Sequence, residues 1–539
     1  MPYFRIFALL LLLTPNLRGQ NTPFQLQLEP LQIPQLGGLQ SFAFGTSDGK
    51  WLLLGGRLDG LHRRQPFATF DVAGHNNQLI VVDPQSGQKW SAPLSSLPAA
   101  LREQLSSTNM EFLQEGDYLY VIGGYGYSAT KADHTTYPYL TAIYLPAVLN
   151  AVLNGQAFAP YFRQYQDARF AVTGGRLLRI DDAFYLVGGQ KFEGRYNPMG
   201  PTHGPGFQQD YTNQVRRFQL QDDGTNLQFN FLAPFTDSVE LHRRDYNVLP
   251  QIWPDGREGA TAFSGVFQPT LDLPFLTAVN IDSSGYALAP NFTQYYNHYH
   301  CANVALYSAN TQEMHNVFFG GIAQFYDSLG VLVQDNNVPF VNTIARVTRR
   351  ADGQMQEFKL PITMPALLGA GAEFIPSENL PRYANEVIKL DELPADTVLL
   401  GYIFGGIAST QPNIFWINTG TESQASSNIF KVKMIKNASS GTDQLNAQSS
   451  GTLKLQLYPN PSGGQVSLKF YLQYSGDVRL IISDLNGKTL HQEWLKNLPA
   501  GAHVVQRNLP AQHGQPLLIR LESATEQVVV KAVFFNDER

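Results

Sequence analysis

The chain has one cysteine in 539 residues, Cys301, so no disulfide can close within it, and zinc ribbons and CxxC redox chemistry are excluded. Charge is scarce as well: 15% of residues are charged, and 38 basic against 44 acidic side chains leave a net charge of −6. That balance gives no general attraction for nucleic acid or for an anionic membrane. The apolar run Ile6–Leu13 is about half of the roughly 20 residues a membrane-spanning helix needs, and no other segment qualifies. No strand–GxSxG–helix elbow, HExxH helix or EF-hand loop is present.

What is abundant points to short strands and turns. Gly (46), Pro (33), Phe (34) and Tyr (25) are plentiful, a mixture that suits strands joined by loops better than long amphipathic helices. At the N-terminus Arg5, the Ile6–Leu13 core and the small residue Gly19 have the three parts of a secretory signal, with a mature start near Gln20 or Asn21. Residues 1–20 are therefore expected to be a signal peptide, and no cysteine follows to carry a lipid.

An apolar stretch ending in Gly-Gly recurs along the chain, at Trp51–Gly56, Leu119–Gly124, Phe184–Gly189, Asn316–Gly321 and Gly401–Gly406, with a degenerate copy at Ala260–Gly265. Four consecutive apolar residues bounded by glycine predict a strand buried on both faces. A preceding strand is expected in each unit, for instance Arg169–Thr173 or Cys301–Ser308. A third follows the loop, as at Gln78–Val82 or Thr343–Val347, and a fourth comes after it, as at Leu227–Leu232 or Met355–Leu360. Four antiparallel strands, six times over, predict an all-β, six-bladed propeller over residues 21–436. The alternating segment Phe24–Leu31 is expected to pair as the missing outer strand of the last blade, leaving no open edge.

These repeats resemble kelch repeats, most clearly in the first unit, where Leu79–Asp83 is followed by Trp90. Later units lack that Trp, and their spacing exceeds the ~50 residues usual for the family. Residues 437–451 have the composition of a flexible linker. Beyond them, about seven short alternating strands in 452–539 predict an immunoglobulin-like sandwich. Tyr458-Pro-Asn-Pro461 with Gly463, the Ser483–Lys488 turn, Leu498–Gly501 and Val529–Val533 make this tail similar to the C-terminal sorting domain of type IX secretion cargo. The resemblance implies export across a Gram-negative outer membrane, with the secretion machinery as partner and a secreted or cell-surface location.

Binding chemistry is expected in the long loops after the Gly-Gly strands, which share one face of the ring. They offer Arg57, Tyr125, Tyr127, His134, Tyr137, Phe192, Tyr196, His203, Phe207, Tyr211 and Phe325, either to contact a glycan or protein ligand or to pack the loops together. Arg169, Arg243, Arg244 and His300 recur near inner-strand starts. They would either form a cationic throat for a carboxylate or sulfate or bond neighbouring blades. The densest cluster is Tyr295–Cys301, in which His298 and His300, two apart, would share one strand face as a metal requires. Tyr, His and Cys together are similar to the copper site of galactose-oxidase-type kelch enzymes, but neither that family's second tyrosine nor its distant histidine maps here. The expectation is accordingly a non-catalytic binding module with no cofactor, and the alternative an extracellular hydrolase, isomerase or oxidase acting at the channel mouth.

Overall fold

The computed structural model describes residues 23–65, 69–198, 206–328, 331–394, 397–436, 455–458, 465–472, 474–484, 488–509, 517–523 and 527–532. The expected signal peptide and linker, and His203, lie outside them. The chain divides into two units, residues 1–438 and 439–539. Both are all-β and built from antiparallel sheets, save for one short parallel pairing of Leu306 and Tyr307 with Ile388 and Lys389. No helix among the described residues is long and apolar enough to cross a membrane.

The first unit holds six four-stranded meanders in chain order. Their innermost strands are Ala43–Ser47, Glu111–Glu115, Arg176–Ile180, Asn247–Ile252, Asn303–Ser308 and Ala370–Pro376. The second strands, which carry the glycine pairs at their ends, are Lys50–Leu54, Tyr118–Ile122, Ala183–Val187, Glu258–Phe263, Glu313–Ile322 and Thr397–Ser409. Third strands follow at Gln78–Asp83, Tyr139–Tyr144, Gln214–Asp222, Ala278–Ile281, Phe340–Arg349 and Ile429–Lys436. Five outer strands come next in sequence: Gln88–Pro93, Phe162–Gln166, Leu227–Phe231, Tyr286–Leu288 and Met355–Thr363. The sixth is Phe24–Leu31, which pairs antiparallel with Ile429–Lys436 over eight residues. Phe24 and Leu26 thereby enter the same core as Val432 and Met434, while Glu29 faces Lys431 and Lys433.

The glycine pairs join each sheet to the next. In five units the first glycine (Gly55, Gly123, Gly188, Gly320, Gly405) has φ between +57° and +77°, a region that carries little penalty only without a side chain. A Cβ there would meet a carbonyl of the following sheet, at 1.9 Å from Val172 O for Gly123 and 2.1 Å from Leu368 O for Gly320. The second glycine donates its N–H to that same carbonyl: Gly56 to Ser107, Gly124 to Val172, Gly189 to Arg243, Gly265 to His298, Gly321 to Leu368 and Gly406 to Leu39, at 2.8–3.3 Å. The last of these returns from the sixth sheet to the first.

A second circuit lies just before the inner strands. Asn109 N donates to Ser41 O, Gly174 N to Asn109 O, Asp245 N to Gly174 O, His300 N to Asp245 O, Gly371 N to His300 O and Ser41 N to Gly371 O, at 2.7–3.3 Å. Every donor in this loop is a backbone amide and every acceptor a backbone carbonyl, and the loop closes on itself. Ser41, Asn109, Gly174, Asp245 and Gly371 hold positive φ, a conformation that small polar residues and glycine tolerate best.

One expected strand is displaced. Arg169–Thr173 is not extended, because the Asp167 carboxylate accepts the Arg169 N–H and starts a 3-10 turn at Ala168–Phe170. The strand is Arg176–Ile180, whose Leu177, Leu178 and Ile180 are buried.

The second unit is a two-sheet sandwich. One sheet holds Leu455–Tyr458, Gln465–Leu472 and Gly501–Asn508, and the other Gly476–Ser483, Thr489–Leu498, Leu517–Glu522 and Gln527–Ala532. Alternation along the strands sends Val466, Leu468 and Phe470 from one sheet, and Val478, Leu480, Ile519 and Leu521 from the other, into a common core. The Tyr-Pro-Asn-Pro motif continues beyond residue 458, outside the described residues.

Candidate functional site

The amide circuit surrounds an axis, and the side chains two residues further along three inner strands meet there. Glu111, Arg176 and Glu373 project from the second, third and sixth sheets into a cavity that also touches Ser41, Asn109, Asp245 and His300. Arg176 Nη1 stands 3.9 Å from Glu373 Oε2, and His300 Nε2 stands 3.0 Å from Glu373 Oε1. Glu111 accepts the Gly175 N–H at 2.8 Å. Burial raises its pKa to about 8; the Gly175 N–H and Arg176 oppose the rise, and Asp245 and Glu373 add to it. The cavity measures about 20 Å³, room for about one water, against the roughly 300–1,000 Å³ of ligand pockets. Chemically the cluster is a plug of opposed charges rather than a basin for substrate.

In each sheet the loop after the glycine pair leaves from the end where the inner strand begins. The bridges Gln40 to Arg57, Thr108 to Tyr125, Thr173 to Gln190 and Arg244 to Val266 fix this. The two hydrogen-bond circuits turn these ends the same way, defining one loop face. Over its centre the loops pack on each other: Leu61, Leu273, Tyr299, Ile322, Phe340, Leu367, Ile414 and Phe415 form one apolar cluster.

Most of the loop residues anticipated from sequence are engaged with other protein groups. Tyr125–Ser128, Asp133–Thr136, Gln190–Glu193 and Gln208–Tyr211 form a four-stranded sheet of their own, across the loops of the second and third sheets. Within it Tyr125 donates its hydroxyl to Gly194 O at 2.8 Å and packs edge-on against Phe70 and Phe192. Phe192 stacks on Phe207 with centroids 4.9 Å apart, and Tyr196 meets His62 at 5.0 Å. His134 bonds through Nε2 to Phe70 O at 2.8 Å, and its ring meets that of Tyr127. Tyr137 donates to Tyr127 O at 2.8 Å. Arg57 is buried and forks onto Asp59, with Nε to Oδ1 at 2.7 Å.

The four basic residues expected near inner-strand starts do not form one throat. Arg169 is 52% exposed, pairs with Asp167 and lies over Phe231. Arg243 is buried between sheets and donates to Ser264 O and Thr277 O at 2.7 and 2.8 Å. Arg244 pairs with Asp245 and donates from Nε to the Tyr211 hydroxyl at 3.0 Å. His300 reaches the axis, beside Glu373.

His298 and His300 do not share a strand face, since residues 295–300 form no strand and Tyr299 between them lies at a bend. His298 is buried, with Nε2 bonded to Gln294 O and Nδ1 accepting the Gln324 N–H, both at 3.0 Å. Burial pushes its pKa down to about 4 and the Cys301 thiol up to about 12. Among the described residues no group of three or more His, Cys, Asp and Glu is placed to hold a metal. The segment Gly45-Thr-Ser-Asp-Gly49 has GxSxG spacing, but it ends an inner strand in the hairpin turn before Lys50, where no helix follows.

Sequence reasoning passed over the outer rim of the loop face. Among the described residues of the first unit, twelve large apolar side chains are exposed, and nine of them lie in connections on this face: Leu58, Val72, Val239, Leu271, Tyr295, Val331, Leu332, Trp416 and Ile417. Trp416, in Asn413-Ile-Phe-Trp-Ile-Asn418, had a readable signal: an apolar run inside a loop.

No family model matches the chain, and no curated protein matches it. Among solved structures, PorZ of Porphyromonas gingivalis, a bacterial surface component of the type IX secretion system, aligns over 92% of this chain and 80% of its own. The identity is 9% and the TM-score 0.15. A TM-score that low leaves the two folds unsuperposed and transfers nothing to this chain.

Proposed function

We propose that residues 21–436 are a six-bladed β-propeller acting as a non-catalytic binding module on or outside a bacterial cell, and that its loop face docks a glycan or protein ligand. The two amide–carbonyl circuits, each with six members and each returning to the first sheet, support the propeller reading. Residues 1–20 serve as its signal peptide, and 452–539 as an immunoglobulin-like type IX sorting domain. Support for the export route is the order of motifs in the tail: Tyr458-Pro-Asn-Pro461, Ser483–Lys488 and Leu498–Gly501.

One observation carries the binding role: of the twelve large apolar side chains exposed among the described residues of the first unit, nine lie in connections of the loop face, a bias toward one face that a surface without a partner does not require. Retention of the purified protein on cell-envelope material tests it. Leu58→Asp with Val72→Asp, and separately Leu271→Asp, should weaken retention. Equal retention of all three proteins would refute the loop face as the docking surface. An extracellular hydrolase using Glu111 and Glu373 draws support from the raised Glu111 pKa, but a space of about 20 Å³ admits a water and not a substrate.

A further inference from the structure

Among the described residues of the loop face, exposed apolar side chains stand beside two arginines that form no ion pair, although Arg63 acts at longer range on Asp71. Trp416, 61% exposed, and Ile417 stand in the loop between the sixth sheet's second and third strands. Arg63 and Arg64 stand in the corresponding loop of the first sheet. The Arg64 guanidinium carbon lies 4.1 Å from the centroid of the Trp416 ring, leaving the ring's other face to solvent. The buried Asn418 side chain clamps the two loops, donating to Leu61 O and His62 O at 2.8 and 2.9 Å. The Arg64 N–H returns a bond to Asn418 O at 3.1 Å, and Ser423 Oγ accepts the Leu61 N–H at 2.9 Å. Arg63 runs along Gly420, where a Cβ would come within 2.5 Å of its Nε.

Other arginines around this loop already have carboxylates: Arg57 has Asp59, Arg195 faces Asp71 at 3.9 Å, and Arg244 has Asp245. Among the described residues Arg63 and Arg64 form no ion pair. The neighbouring Glu422 is occupied, accepting the N–H groups of Thr419, Gly420 and Thr421. Those bonds, that of Thr419 foremost, hold its pKa down to about 2.

We propose that this platform recognises an acidic polysaccharide, with a sugar ring stacked on the open face of Trp416 and the carboxylate or sulfate of that or an adjoining residue held by Arg63 and Arg64. A flat, preorganised aromatic matches the apolar face of a pyranose, and a guanidinium fork matches a planar carboxylate or a sulfate edge. The protein as a whole carries −6, so attraction for a polyanion here is local to these arginines and not a property of net charge. The inference rests on the loop face being the docking surface and names its ligand class.

The mature chain should be retarded in affinity electrophoresis by polygalacturonate or by heparin, and not by neutral dextran; comparing the two polymers separates carboxylate from sulfate. Trp416→Ala and the pair Arg63→Gln, Arg64→Gln should each weaken binding by about tenfold or more, roughly the 1.4 kcal/mol or more of a lost stacking or fork contact. Trp416→Phe should retain most of the affinity. These side chains are at the surface, so circular dichroism and the melting temperature should not change. Absence of binding to both acidic polymers, or binding unaltered in the variants, overturns the proposal. Envelope retention that depends on Leu58 and Val72 without affinity for acidic polymers would overturn the ligand class and leave the docking face standing. Failure of both assays would overturn the two together.

Discussion

Replacing Glu111 by Gln tests whether the buried cluster of Glu111, Arg176 and Glu373 keeps Glu111 as a neutral acid in the folded protein. Glu111 is 3% exposed, and burial, with Asp245 and Glu373 adding to it, raises its pKa from 4.5 to about 8. The folded protein therefore keeps a proton that the unfolded chain loses as the pH rises from 4.5 to about 8. The stabilisation is fully present below pH 4.5 and is lost as pH climbs to about 8, by up to about 1.4 kcal/mol per pH unit and about 5 kcal/mol in all as an upper bound. Gln keeps the shape and a carbonyl for the Gly175 N–H but never ionises. Buried histidines act in the opposite sense: burial pushes His62, His75 and His298 down to about 4 and His315 to about 3. Their contribution is present above about pH 6.5 and fades as pH falls, and it is common to both proteins, so it cancels in the difference. Urea midpoints followed by tryptophan fluorescence across this range should converge within about 1 kcal/mol at the acid end. Toward pH 8 and above, Glu111→Gln should become the more stable by several kcal/mol. Parallel curves for the two proteins across the window would refute the reasoning.

Arg243→Met should cost about 3–5 kcal/mol, because Ser264 O, Thr277 O and Glu240 lose a buried partner. Arg169→Ala, on an exposed pair, should change stability by no more than about 1 kcal/mol; equal costs in chemical denaturation would contradict the placement of these two arginines. Gly320→Ala should lower the melting temperature far more than Gly353→Ala. Both have positive φ, but a Cβ at Gly320 meets Leu368 O at 2.1 Å while Gly353 has nothing within 4 Å. Deleting residues 452–539 should leave folded protein in the periplasm, checked by fractionation; normal appearance outside the cell would remove the sorting role.

The strands around the glycine pairs were legible because their signal is local: four apolar residues and then a backbone conformation that glycine suits. The pairing of Phe24–Leu31 with Ile429–Lys436 could be read from alternation and from the strand missing in the last unit. The amide circuit before the inner strands could not. It uses no side-chain atom, and its members Ser41, Asn109, Gly174, Asp245, His300 and Gly371 span five residue types. Arg169–Thr173 misled because β-propensity is weak against a local Asp167 cap. At the loop face, composition offered many aromatics but not their burial. Tyr125 and Trp416 occupy equivalent connections, yet the first is buried as part of the loops' own sheet and the second stands in water, a difference set by neighbours remote in sequence.

The circuit around the axis behaves like a hoop forged from main chain alone. Its integrity asks of each member only that the backbone be able to adopt the bend there, so the letters of the sequence at the rim are free to drift without loosening it. Variation in the outward connections is thereby uncoupled from the frame, and new recognition surfaces can be grafted between the Gly-Gly strands and the third strands while the same six amides go on holding the same six carbonyls.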